Sequence, residues 1–272
     1  MRPMKKLIIL SAALLLALSC TEKAPKMLIL YYSQNGNTKA VAEELQAKLG
    51  ADIEAIVPVI PYDGDFQATI ERGRVELEGE LPQIQPIAAD LKKYDIIFLG
   101  YPVWFGTYAP PVGKLLQEYD FAGKKVVPFC TFGSGGLDSS SANLAEALPG
   151  AEILPGYGVR AARIAAMPAE VDRFLKQGGF VEGEVEPVEP FPALQPATEE
   201  EAAIFDAAVD GYPMLHAKAE NVASRTTPWG TEYIFEARDL AGFPGQDAPG
   251  RTIKVYVLAE DGQAPVFTQV LR

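Results

Sequence analysis

The sequence contains very few residues of the types that bind metals, form disulfides or act as catalytic bases. Its 272 residues include two cysteines, Cys20 and Cys130, and a single histidine, His216. One histidine cannot build a histidine-rich metal site, and so few thiols cannot hold an iron–sulfur cluster or a zinc ion. A Ser-His-Asp or Cys-His constellation also needs a histidine beside its nucleophile. The composition therefore predicts no metal site and no catalytic side chain, and it leaves Cys130 as a small core residue.

Positive charge is scarce as well. There are 24 Lys and Arg residues against 36 Asp and Glu residues, which gives a formal net charge of −12 at pH 7. A surface of this sign repels the phosphates of nucleic acids and the headgroups of anionic lipids. The composition therefore argues against a nucleic-acid partner, and any membrane attachment has to be through acyl chains.

The beginning of the chain resembles a secretory signal. Three basic residues precede an uncharged apolar run at residues 7–18, and Cys20 follows closely. Because the run is short for a membrane span, the order predicts a signal peptide over residues 1–19. The cysteine resembles that of a lipobox, and the alternative is an ordinary signal peptide with a chance cysteine. We expect a membrane-anchored lipoprotein of the cell envelope, lipidated at Cys20, facing the periplasm or exterior, with residues 20–26 as a tether.

Residues 27–180 alternate short apolar runs with amphipathic helical patterns. The predicted strands are 27–32, 53–59, 94–100, 125–132 and 152–154, and the predicted helices are 38–49, 66–78, 112–119, 140–148 and 168–177. Five successive βα units indicate an α/β fold with a parallel sheet covered on both faces. Right-handed crossovers then favour a doubly wound five-stranded sheet of order 2-1-3-4-5.

The remainder of the chain changes character. Residues 181–197 are rich in Pro and Glu, which predicts a stiff, solvated linker. Thr198 and Glu201 form a plausible capping box for a helix that ends at Gly211. Three or four alternating strands follow, which predicts a small α+β domain over residues 198–272. The expected shared faces are Tyr233, Phe235 and Ala237; Ile253, Val255 and Val257; and Phe267, Gln269 and Leu271.

Polar residues fill the connection between the first strand and the first helix. We call residues 33–38 the first loop; they are Ser33, Gln34, Asn35, Gly36, Asn37 and Thr38. Backbone N–H groups at a helix N-terminus bind anions, and these side chains add neutral donors. The pattern suits a phosphate monoester held without a counter-charge, since it has neither the lysine of a Walker A motif nor a Gly-x-Gly-x-x-Gly run. The alternative is an ordinary polar turn with Thr38 as the helix cap.

Two further loops follow the third and fourth predicted strands. The second loop, residues 101–108, contains four aromatic residues, and the third loop, residues 131–136, contains three glycines. A planar ligand would cover such aromatic side chains, and glycines let a backbone approach a ligand closely. The alternatives are a hydrophobic loop packed under the linker or the second domain, and a flexible connection. The candidate ligand-binding residues are Pro102, Val103, Trp104, Phe105, Gly106, Thr131, Phe132, Gly133 and Gly136.

The predicted strand order brings the three loops together. Strands one, three and four are neighbours, so their carboxyl ends open at one edge of the sheet, where ligands bind in such folds. Phosphate donors, aromatic rings and a glycine-rich backbone are therefore expected in one site.

Residues 27–180 resemble the flavodoxin family. The motifs are Ser-x-x-Gly-Asn-Thr at 33–38, Gly-Tyr-Pro-Val-Trp at 100–104 and Pro-Phe-Cys-Thr at 128–131. The resemblance implies a flavodoxin-like fold with non-covalent FMN, its phosphate on the first loop and its isoalloxazine between the second and third loops. Asn35 stands where the family more often has Thr, which removes one hydroxyl but keeps a donor.

Residues 198–272 resemble a cystatin-like fold. The segment 225–235 keeps the Gly-Thr-x-Tyr part of a cystatin hairpin but lacks its Gln-Val-Val-Ala part. The resemblance therefore implies an interaction or structural module, with a protein partner, rather than a protease inhibitor.

Three functions fit these features. The first is an FMN redox protein of the envelope that exchanges electrons with a redox partner, because FMN itself supplies the chemistry. The second is an FMN-dependent NAD(P)H-quinone or flavin reductase. The third is a degenerate flavodoxin scaffold that acts only as an envelope binding module.

Overall fold

A computed structural model of the protein describes residues 24–62, 64–240 and 250–272. The predicted signal peptide, residues 1–19, and the predicted lipidation site Cys20 lie outside the described residues. Within the described part of the chain, no helix is both long and apolar enough to cross a membrane.

The first half of the chain forms a parallel sheet with helices on both faces. Its elements are β1 (Met27–Tyr31), α1 (Asn37–Leu49), β2 (Asp52–Ala55), α2 (Phe66–Glu78), β3 (Ile96–Trp104), β4 (Thr107–Tyr108), α3 (Pro110–Glu118), β5 (Lys125–Phe132), α4 (Leu137–Ala147), β6 (Glu152–Ile153), β7 (Tyr157–Arg160) and α5 (Met167–Gln177). The strand order is β2-β1-β3-β5, and β6 and β7 share the position beyond β5. The predicted doubly wound order is thus confirmed, and only β4 runs antiparallel.

Burial on both faces explains why these strands are almost wholly apolar. Leu28 and Leu30 of β1 pack in one core cluster with Leu115 of α3. Ile29, which points to the opposite face, packs in the other cluster with Val41 of α1. Alternate residues of one strand therefore stabilise two separate helix layers, as a doubly wound sheet requires.

The structure differs from the sequence-based prediction at the ends of several strands and helices. Strand β2 stops at Ala55, and Pro58 forms only an isolated bridge to Ile84. Helix α4 begins at Leu137 rather than at residue 140, because Gly136 supplies its N-cap position. Strand β7 is an additional strand; its Tyr157, Val159 and Arg160 are buried while Gly158 packs close to Cys130.

The segment 181–197 is an extended connection that is partly tied to the C-terminal domain. Its residues Gln195–Pro196 form the short strand β8. Farther back, the backbone oxygen of Glu189 accepts a hydrogen bond of 3.1 Å from Arg225, whose guanidinium lies 4.1 Å from the centroid of the Phe191 ring. The predicted solvated linker is therefore anchored at its C-terminal half.

The C-terminal domain is one helix on an antiparallel sheet. Its elements are α6 (Glu199–Val209), β9 (Ala217–Thr227), β10 (Gly230–Asp239), β11 (Thr252–Ala259) and β12 (Val266–Leu271). The strand order is β12-β11-β10-β9-β8. The capping box of Thr198 and Glu201 is present, and Phe205 of α6 packs against Phe235 of β10. This agrees with the predicted α+β class, whereas the cystatin-like resemblance stays a prediction.

The predicted shared face of Phe267, Gln269 and Leu271 on the last strand is wrong. Phe267 and Val270 are buried, whereas Gln269 and Leu271 are only partly so. The cause is a β-bulge: Tyr256 pairs with Gln269 and the next residue, Val257, pairs with Phe267. One extra residue on β12 shifts every later side chain to the other face.

Candidate functional site

The three predicted loops meet at the carboxyl edge of the parallel sheet. The hydroxyl oxygens of Thr38 in α1 and Thr131 in β5 lie 2.8 Å apart, and both residues are buried. Pro102 of β3 pairs with Thr131 in register. A hydrogen bond therefore joins the first and third loops, with the end of β3 between them. The alternative role of Thr38 as the helix cap is wrong, because Gly36 occupies the N-cap position.

The first loop presents free donors at the start of α1. Gly36 has φ +91°, a conformation that favours glycine, and a Cβ there would meet no atom within 4 Å. The oxygen Oδ1 of Asn35 accepts from the backbone N–H of Asn37 at 3.4 Å, and Gln34 Nε2 donates to Thr69 Oγ1 at 3.0 Å. The other N–H groups of the first helical turn have no intrahelical acceptor, so they are available to an anion.

Ser33 carries the least satisfied polar atom of this loop. Its Oγ is buried and has no hydrogen-bond partner among the described residues. Leaving a buried hydroxyl unpaired costs on the order of 1–3 kcal/mol, which a ligand with acceptor or donor atoms would offset.

A cleft of about 400 Å³ opens beside Ser33. The first loop contributes Ser33, Gln34 and Gly36 to its walls, and Lys39, Tyr32 and Tyr62 also line it. Sequence reasoning missed Lys39, which stands next to Thr38 on α1 and pairs with Glu43 at 3.6 Å on the exposed surface. This cleft thus offers a basic residue in addition to the neutral donors of the loop.

The second loop is a tight β-hairpin rather than a loop. Strands β3 and β4 pair through Val103 with Tyr108 and Trp104 with Thr107. The two turn residues have positive φ, +52° at Phe105 and +79° at Gly106, as in a two-residue hairpin of type I′. A phenylalanine in the left-handed region costs about 1–2 kcal/mol, and such strain is concentrated at functional sites.

The two aromatic rings of the hairpin have different surroundings. Trp104 lies edge-on to Tyr32 and Tyr62, with ring centroids 6.0 and 5.1 Å away. Helix α2 approaches it so closely that a Cβ at Gly73 would lie 3.1 Å from its ring. Helix α2 and the two tyrosines therefore cover Trp104, whereas Phe105 stays 39% exposed.

The tyrosines beside Trp104 are held neutral. Burial raises the pKa of Tyr32 and of Tyr62, and the hydrogen bond from Tyr62 to Glu76 raises the latter further. Arg72 stacks on the Tyr62 ring at 3.9 Å from its centroid and bonds to Glu76 at 2.8 Å. This wall of the site is consequently aromatic and carries no charge on its phenol groups.

The third loop touches the hairpin. A Cβ at Gly136 would lie 2.6 Å from Val103 Cγ1, so only glycine fits there. Ser139 Oγ, in the first turn of α4, donates to the backbone oxygen of Gly106 at 2.7 Å. Thr131 and Phe132 are both buried, and the Thr131 hydroxyl is the one that bonds to Thr38.

Metal-ligating side chains do not cluster at the site in the described part of the chain. No group of three His, Cys, Asp or Glu residues there is close enough to hold a metal ion. Cys130 is fully buried, and burial raises the pKa of its thiol, so it behaves as a core residue. What the site offers is anion binding, aromatic surface and closely approachable backbone.

A family model described as flavodoxin matches residues 26–166, just over half of the chain. The chain belongs to the flavodoxin family. The match ends before the linker, so the family assignment concerns the parallel-sheet domain and leaves the C-terminal domain unassigned.

Solved structures of flavoproteins are similar to just over half of the chain. A flavoprotein from Bacteroides eggerthii is 29% identical, with a TM-score of 0.48. The aligned region covers 54% of this chain and 96% of the Bacteroides eggerthii chain. A flavoprotein from Lactobacillus acidophilus, solved in complex with FMN, is 27% identical over 55% of this chain and 98% of its own, with a TM-score of 0.46. Flavodoxin 2 from Bacillus cereus is 20% identical over 56% and 99%, with a TM-score of 0.37. No curated protein matches the chain.

Proposed function

We propose that this protein binds one FMN non-covalently at the carboxyl edge of its parallel sheet and exchanges electrons through it with a redox partner at the cell envelope. The observation that carries the proposal is the buried, unpartnered hydroxyl of Ser33 in the loop that leads into α1. Family membership supports FMN as the cofactor, and the similar Lactobacillus acidophilus flavoprotein was solved with it.

The residues present fit the two ends of FMN. At the phosphate end, Ser33, Gly36 and the first N–H groups of α1 supply donors, and Lys39 supplies positive charge nearby. At the ring end, the exposed Phe105 and the backbone of the third loop supply an apolar surface and close approach. The residues for the two ends lie on separate elements of the fold. The hydrogen bond between Thr38 and Thr131 holds these elements together in one site.

When bound, FMN supplies the electron-transfer chemistry, and the protein binds and orients it. Ser33 and α1 hold the phosphate, while the hairpin and the third loop hold the ring. The backbone oxygen of Gly106 accepts a hydrogen bond from Ser139, and the positive φ of this glycine would let its peptide adjust when the cofactor binds.

Anaerobic reduction of the purified protein separates the candidate functions. We expect a yellow protein with one FMN per chain that is reduced by dithionite and reoxidised by a one-electron acceptor. Rapid bleaching by NADPH, with turnover of a quinone or a free flavin, would instead identify a reductase. A colourless protein that takes up no FMN would leave only the scaffold function.

The envelope location rests on the expected lipid anchor. The wild-type protein should fractionate with membranes, and Cys20→Ser should be soluble or uncleaved, because acylation needs the thiol. A variant that is processed normally and still sediments with membranes would contradict the anchor.

A further inference from the structure

The third loop also contacts the C-terminal domain. Strand β12 lies beside β7, and the backbone N–H of Val270 donates to the backbone oxygen of Ser134 at 2.6 Å. The backbones also approach closely at Gly135, where a Cβ would lie 2.4 Å from the Val270 oxygen. Only glycine allows the two backbones to meet in this way, so the loop is built for this contact.

Arg160 joins the same loop to the same strand through its side chain. It stands at the end of β7, and its Nε donates to the Gly133 oxygen while its Nη1 donates to the Phe267 oxygen, each at 2.9 Å. Its guanidinium carbon lies 3.4 Å from the centroid of the Phe267 ring and 5.2 Å from that of Tyr212. One planar cation therefore bonds both backbones at once and stacks between the domains.

The burial of Arg160 makes this contact costly to replace. The residue is only 8% exposed, and burial lowers the pKa of its guanidinium to about 10, which still leaves it protonated at neutral pH. If either backbone oxygen moved away, the buried guanidinium would lose a hydrogen bond, which is costly for a buried charge. Arg160 therefore stabilises the arrangement of the third loop in which both hydrogen bonds are made.

A second contact joins the domains through α5 instead of the third loop. The guanidinium carbon of Arg173 lies 3.8 Å from the centroid of the Trp229 ring, at the turn between β9 and β10. The C-terminal domain thus also contacts the parallel-sheet domain away from the predicted flavin-binding backbone.

We propose that Arg160 is a positioning residue through which the C-terminal domain fixes the third loop, and that this fixation sets the affinity and midpoint potential of the FMN. The proposal rests on the function proposed above. A segment with three glycines loses much conformational freedom when it binds a ligand, and a clamp that orders it beforehand removes that cost from binding. The C-terminal domain is then part of the flavin site and not a tethered neighbour.

The test compares Arg160→Ala with Arg173→Ala in the full chain, since each removes an arginine that stacks on aromatic rings of the C-terminal domain, but only Arg160 also bonds the third loop. Hydrogen–deuterium exchange of the apo proteins reports the order of segment 131–136, and titrations with FMN and riboflavin report affinity. We expect Arg160→Ala to speed exchange in that segment, to weaken both flavins by a similar factor of about five to ten, and to shift the flavin midpoint potential. Arg160→Lys, which keeps the charge but loses the planar fork, should recover part of the affinity.

Arg173→Ala should leave exchange in segment 131–136, both affinities and the potential close to wild type. Equal changes in the two variants would show that general domain docking matters and would overturn the role of Arg160. Unchanged exchange in Arg160→Ala would overturn it as well. If the wild-type protein bound no flavin, the proposed function would fail, and the exchange comparison would still decide whether Arg160 orders the third loop.

Discussion

The Ser33 hydroxyl offers the sharpest prediction, because its loss should affect binding and folding in opposite directions. In the apo protein its Oγ is buried without a partner, so Ser33→Ala removes a desolvated polar group and fills no new space. We therefore expect the free energy of unfolding of the apo variant to equal or exceed that of wild type.

With FMN bound, the same hydroxyl would donate to a charged phosphate oxygen. Hydrogen bonds to charged groups contribute roughly 1.5–3 kcal/mol, so Ser33→Ala should raise the Kd for FMN about 10- to 150-fold. Riboflavin lacks the phosphate, so its Kd should change little.

The assay is quenching of flavin fluorescence, with FMN and riboflavin titrated into wild-type and variant apo protein, and urea unfolding of the same samples. Ser141→Ala is the control, because it removes a buried hydroxyl that lies on α4, outside the first loop. It should leave both flavin affinities unchanged. Equal weakening of FMN and riboflavin by Ser33→Ala would refute the phosphate role, as would a destabilised apo protein.

The remaining predictions concern the hairpin, the central strand and one pH-dependent contact. Gly106 and Gly262 have similar backbone angles, φ +79° and +76°, so Gly106→Val and the control Gly262→Val should each lower the free energy of unfolding by about 1–2 kcal/mol. Only Gly106→Val should also shift the flavin midpoint potential. Gly100→Ala places a Cβ 2.1 Å from the ring of Phe129 in β5, so the urea midpoint of the variant should fall by an amount equivalent to about 1–3 kcal/mol. An unchanged midpoint would contradict this close contact between β3 and β5. Tyr94 donates to Asp52 at 2.7 Å, which lowers the pKa of Asp52 and raises that of Tyr94 to about 12. The stability lost in Tyr94→Phe should therefore be greatest between about pH 4 and pH 10 and vanish as the pH falls through the Asp52 pKa, and a pH-independent difference in urea unfolding would contradict it.

Much of the parallel-sheet domain can be predicted from the sequence, because each buried strand is a short apolar run and each helix has an apolar stripe along one face. The capping box at Thr198 and Glu201 is equally local, since both partners lie within one turn. The convergence of the three loops follows from strand order alone, which is why the Thr38–Thr131 contact agrees with it.

The parts that escaped prediction depend on contacts far apart in the chain or on backbone geometry. A positive φ at Phe105 is imposed by the pairing of β3 with β4, and nothing in the residue type indicates it. Arg160 and Phe267 lie 107 residues apart, so their contact could not be read from either segment. The Pro- and Glu-rich linker predicted where the second domain begins, but nothing in its composition indicates the tertiary contacts that join that domain to the third loop. The bulge in β12 likewise arises from pairing and not from composition.

The most direct test of the central claim is native mass spectrometry of the purified protein before and after incubation with FMN, with riboflavin as the comparison. The account predicts one FMN per chain, retained through desalting, and markedly weaker retention of riboflavin. Protein that stays flavin-free in the presence of excess FMN would contradict it.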